Sequence, residues 1–340
     1  MSSLLKSIIG HISGSLPEPE KLMKEGWRQE KQLKYETENT YEENLQKYKA
    51  VRSIYLQAYR LGNKKALISI GLLTKGFMEF IVHTYVIEKN PRTEQGYDIN
   101  RKYSEIAIRL FGQIKDIYIQ VIREISETSK TDTRDQAHIL HLFGNIHNNL
   151  GTLLCSGLVA KKTHGTREID HHIVDPDYNE GLKYLEVACK TFNDYTACRN
   201  IAIFNEDRAF RTRLDSSKIE FYKGSIEWSF YFIENVNEEN TARTDIVRWV
   251  PECIEKIKEC NDEIFNLSEE PDVTKESYRD EIKKRLAAFT EKFNKLYTKS
   301  AAGTRGGKSL TMKSIRTSKK TRNYKKGRRH KKSRRGRIRK

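Results

Sequence analysis

Apolar residues recur at steps of three and four through most of this chain. The clearest case is a pair of stretches in its middle. In the first, Ile139, Phe143, Ile146, Leu150 and Leu153 fall on one helical face; in the second, Tyr178, Leu182, Leu185, Cys189 and Phe192 do the same. Gly151 sits where a bulky side chain would hold a neighbouring helix away, and Gly157 sits where a helix would end. A polar insert, Leu158 to Pro176, separates the two. The same period predicts helices over Tyr41 to Leu61, from Asn63 through Phe80, and from Tyr103 to Ile125. It predicts further helices over Thr196 to Phe204, the aromatic-rich Lys218 to Ile233, Val247 to Ile257 and Tyr278 to Leu296. Pro17 and Pro19 set off an N-terminal piece, and Glu18 to Thr37 reads as a charged helix with Trp27 as its main anchor. Period-two alternation is rare and hairpin signals are absent, so no strands are expected.

The central pair carries a motif. Leu150, Gly151, Leu153 and Gly157, followed by Asp177, Tyr178, Tyr184 and Ala188, resemble the Sel1-like branch of the tetratricopeptide-type (TPR) repeats. That family alternates an A helix reading A-x-x-x-L-G-x-L-x-x-x-G with a B helix reading D-Y-x-x-A-x-x-[YW]-x-x-x-A. Ile146 departs from the first alanine and Gly181 from the B-helix alanine, and the insert exceeds the family's usual link. The likeness spans about one repeat. Ala66, Ile70, Gly71, Leu73 and Gly76, with Lys102 to Ala107, repeat it loosely and point to a degenerate earlier unit from about 64 to 126.

The expected fold is all-α: a right-handed, irregular α-solenoid of antiparallel helix pairs. Its divisions are an N-terminal segment (1–18), N-terminal helices (19–62), the repeat region (63–205), a C-terminal helical section (206–300) and a tail (301–340). Repeat arrays stack into extended concave surfaces. The resemblance therefore implies a scaffold holding a protein ligand in a groove lined by His141, Asn145, Asn148, Asn149 and Thr152, with Leu150, Gly151, Gly157, Tyr178 and Ala188 packing the repeat.

Charge divides the chain in two. The net charge of +17 comes from 63 Lys and Arg against 46 Asp and Glu. From Arg305 onward there are 18 basic residues and no acidic ones, which leaves 45 basic against 46 acidic before it. A nearly neutral body thus carries a strongly basic end. That end has almost no core-forming residues and is expected to be disordered when free. Lys325, Lys326, Arg328, Arg329, Lys331, Lys332, Arg334 and Arg335 are dense enough to bind nucleic acid or another polyanion, such as an acidic protein surface, through counterion release. The tail also resembles basic extensions on proteins of large double-stranded DNA viruses, which implies a structural virion component as an alternative. Location in a nucleus, viral factory or virion goes with these readings.

Five cysteines without a Cys-x-x-Cys pair are expected to be reduced, buried thiols in a reducing intracellular compartment. No transmembrane segment and no signal peptide are expected. His138, His141, His171 and His172, with Asp170 or Asp175, form the one constellation with chemical potential, a metal-dependent hydrolase site. Without an H-E-x-x-H arrangement, a polar stripe along the groove is the preferred reading. No enzyme activity and no cofactor are expected.

Overall fold

Each apolar stripe forms a helix in the computed structural model, which describes residues 18–89, 97–128, 136–164, 167–235, 244–268 and 272–303. In chain order these are α1 (Pro19–Gln32), α2 (Tyr41–Arg60), α3 (Lys65–Ile81), α4 (Arg101–Thr128), α5 (Gln136–Ser156), α6 (Tyr178–Phe192), α7 (Tyr195–Arg211), α8 (Asp215–Glu234), α9 (Thr244–Leu267) and α10 (Asp272–Gly303). Local chemistry sets the starts. Thr40 and Glu43 form a reciprocal capping box on α2. Asp177 accepts the Glu180 N–H at 2.9 Å to cap α6, and Asp194 accepts from Thr196 and Ala197 to cap α7. Gly157, at φ +60°, closes α5 by donating its N–H to Leu153.

Neighbouring helices pack against one another in an all-α array. From α5 on, odd helices form one layer and α6 and α8 the other. Asn200 on α7 reaches Asn148 and Thr152 on α5 at 3.0 and 3.2 Å. Arg199 pairs with Glu252 at 2.8 Å, and Lys256 pairs with Glu206, joining α7 to α9. Arg285 of α10 reaches Glu227 and Glu234 and lies 3.9 Å over the Phe230 ring, fastening α10 to α8. Two apolar clusters fill the interior. One gathers side chains from α1 to α5, such as Tyr55, Phe77 and Ile114; the other gathers those of α6 to α10, such as Leu185, Phe230 and Phe293.

Glycines set the closest helix crossing. A Cβ on Gly151 would lie 2.6 Å from Leu185 and 2.7 Å from the Gly181 carbonyl oxygen. A Cβ on Gly181 would lie 2.5 Å from the Cys155 sulfur and 2.8 Å from the Gly151 oxygen. The departure from the repeat motif at Gly181 is therefore a spatial requirement. A Cβ on Gly71 of α3 would lie 2.9 Å from the Tyr118 ring of α4, a side-chain contact rather than a backbone one.

Several expectations need correction. The insert after α5 is a β-hairpin, β3 (Leu158–His164) on β4 (Arg167–Val174), and a shorter one, β1 (Ile87–Lys89) on β2 (Tyr97–Ile99), separates α3 from α4. Leu158 and Ala160 are buried in the first cluster, so the hairpin folds back over the earlier helices. Trp27 is not the anchor of α1, being 51% exposed. Leu22 and Met23 are buried instead, and Gly26 sits against the Tyr55 ring. The cysteines are not all reduced: Cys189 and Cys198 form a disulfide, because the two-residue turn between α6 and α7 brings their Cα atoms to 5.0 Å. Cys155, Cys253 and Cys260 are free and buried. Among the described residues one helical stretch, Lys65–Val86, is long and apolar enough to cross a membrane. It is largely buried as a core helix, so no clear transmembrane segment is present there.

Two alanine substitutions test the crossing. Gly151→Ala is expected to lower unfolding stability by about 1–3 kcal/mol through overpacking. Gly112→Ala on α4, where nothing lies within 4 Å of an added Cβ, is expected to raise it by about 0.5–1 kcal/mol. Urea unfolding midpoints read both.

Candidate protein-binding groove

The polar residues expected to line a groove on α5 divide. Asn148 and Thr152 are half-buried and held by Asn200, so they close the seam between α5 and α7. Asn149 is half-buried as well. His141 and Asn145 are exposed and bonded to each other at 3.2 Å. Of the packing residues, Leu150, Gly151, Gly157 and Ala188 are buried as expected, while Tyr178 is half-buried and donates its hydroxyl hydrogen to Asp207. The polyanion-binding residues from Lys325 to Arg335, and the tail's expected disorder, lie outside the described residues.

An open groove appears one helix further on. It has a volume of about 590 Å³ and lies between α7 and α9, with Tyr222 of α8 also lining it. Apolar surface comes from Ile203 and from Phe210, which is 80% exposed. Its polar lining is acidic: Glu206 and Asp207 from α7, and Glu259, Asp262 and Glu263 from α9. Asp207 is paired with Arg211, Glu206 with Lys256, and Asp262 with Arg279. Among the described residues Glu259 and Glu263 have no ion-pair partner.

The two helices run in one direction. Arg199 meets Glu252 and the later Glu206 meets the later Lys256, so α7 and α9 run parallel. Of its lining, Phe210 and Asn266 stand in the last turns of the two helices, and the carboxylates stand one to two turns before the ends. The two carboxylates without ion-pair partners and an exposed aromatic ring together favour a cationic segment with some apolar character.

The groove carboxylates are hard to read in the sequence because they alternate with lysines, as solvated helix faces do. The signal lies in the spacing: Glu259, Asp262 and Glu263 share one face, and only the neighbouring helix shows that Glu206 and Asp207 lie opposite.

No protein-family model matches this chain, and no curated protein matches it significantly. A solved structure described as "Computational Design of Self-Assembling Cyclic Protein Homooligomers" is similar over 84% of this chain and 96% of its own, at 12% identity and a TM-score of 0.25. A likeness that weak carries no argument about fold or assembly.

Of the histidine constellation, the described side chains have other partners. His172 contacts Arg211 at 2.6 Å, and His141 bonds Asn145. Among the described residues no group of three His, Cys, Asp or Glu stands where a metal ion would be held. The side chains of His138 and Asp170 lie outside the described residues. His147, which no sequence motif marks, is buried against Phe143, Tyr184 and Phe192; burial pushes its pKa down.

Burial pushes the thiols of Cys155, Cys253 and Cys260 up to about 12. They stay protonated at pH 8, so the native chain is expected to resist iodoacetamide there. Unfolded without reductant it should label at those three thiols, and with reductant at all five cysteines. Mass spectrometry counts the adducts; five labels without reductant would remove the Cys189–Cys198 bond.

Proposed function

We propose that this chain is a non-enzymatic protein–protein interaction scaffold of Sel1/TPR-like type. Its odd-numbered helices present a groove for a protein segment, and its basic C-terminal tail binds nucleic acid or another polyanion. The observation that carries the first part is the open groove between α7 and α9, with an exposed Phe210 and with Glu259 and Glu263 lacking ion-pair partners among the described residues. The second part stands on the 18 basic residues after Thr304 with no acidic residue among them.

The reading of the tail as an electrostatic element makes a measurable demand. If six to ten phosphates are contacted, affinity for duplex DNA falls by about 10³–10⁵ between 50 and 200 mM salt. Deleting residues 304–340 is expected to abolish this salt-sensitive binding and leave the thermal midpoint of the body unchanged. Fluorescence anisotropy with a labelled duplex and a thermal melt read the two. Affinity retained after deletion would move the polyanion site into the body.

A further inference from the structure

We propose that the acidic groove between α7 and α9 is a dock for the chain's own C-terminal segment, residues 304–340, occupied when no polyanion competes for it. The release by polyanions rests on the tail reading above; the docking itself does not.

Three observations point to this occupant. The first is charge complementarity. Glu259 and Glu263 lie one turn apart on α9 without ion-pair partners among the described residues. The body before the tail is nearly balanced in charge, so the excess of cations in this molecule is concentrated in the tail.

The second is apolar content. Phe210 at the groove and Leu214 in the turn after α7 are 80% and 68% exposed. The tail interleaves Leu310, Met312, Ile315 and Tyr324 with its lysines and arginines. A segment of this kind places ammonium and guanidinium groups on the carboxylates and an apolar side chain against the ring.

The third is reach. Arg279, near the start of α10, bonds Asp262 at the groove. From there to Gly303, the end of α10, a helix rises about 36 Å at 1.5 Å per residue. The first paired lysines of the tail, Lys319 and Lys320, lie far enough beyond Gly303 that an extended chain spans about 53 Å before reaching them, at about 3.3 Å per residue. The tail therefore returns to the groove with length to spare. Because the same lysines and arginines would face either groove or polyanion, the two sites compete.

The test uses the full chain. Zero-length carbodiimide coupling at low salt is expected to join tail lysines to Glu259 or Glu263 in the monomeric product, as mapped by peptide mass spectrometry. Saturating duplex DNA is expected to suppress these links. Glu259→Gln with Glu263→Gln should lose them and bind the same duplex about threefold to tenfold more tightly. Glu105→Gln with Asp116→Asn removes as much charge from exposed positions on α4, away from the groove, and should stay within about twofold of the parent. Links spread evenly over carboxylates of the body, or no change in affinity specific to the groove variant, would overturn the proposal. Links found only in a cross-linked dimer would give the groove to a second copy and also overturn it. Groove links in a chain that binds no DNA would uphold the dock while removing the polyanion reading.

Discussion

Two backbones that nearly touch govern this architecture. Gly151 on α5 and Gly181 on α6 approach so closely that a methyl group on either would meet the other's carbonyl oxygen. Because neither carries a side chain, Leu185 and Cys155 fill the space around the crossing and are themselves buried. The contact brings α6 down onto α5, and the Asn193–Asp194 turn then returns the chain as α7 beside α5. There Asn200 completes hydrogen bonds with Asn148 and Thr152. Polar groups in a half-buried seam lose water, so their mutual bonding stabilises only the one register in which all three meet.

Beyond α7 the same arrangement continues in a looser form. Between α7 and α9 the short amide and hydroxyl seam that joins α5 to α7 gives way to longer ion pairs, Arg199 with Glu252 and Lys256 with Glu206. Longer side chains span a wider gap than that seam does. The groove at the ends of these two helices is the physical result. The Cys189–Cys198 bond sits just before that change and ties α6 to the first turn of α7.

Much of this fold is readable from the sequence because helix periodicity is a local signal. Gly151 and Gly157 announce a crossing and a terminus, and each has that place in the structure. The hairpins are not readable in this way because strand pairing depends on partners across a turn. In β4, Ile169, His171 and Ile173 do alternate, but charged and polar residues on both strands mask the pattern. Trp27 misleads because size suggests burial; Gly26 beside it makes the contact, and an absent side chain leaves no hydrophobic mark. The partners of the polar residues on α5 are hidden from the sequence for a related reason. Asn148 and Thr152 are polar in order to bond a neighbouring helix, and only Asn200, far along the chain, reveals it. The disulfide escapes a sequence reading because a short turn between helices, rather than a spacing motif, brings its cysteines together.

Through that glycine crossing α5 and α6 behave as one packed unit. Native-state hydrogen exchange on the Gly151→Ala chain examines this most directly, by comparing amides of 146–155 with those of 178–189. If the crossing joins the helices, protection falls by the same factor in both segments. Loss confined to α5, with α6 exchanging as in the parent, would contradict it.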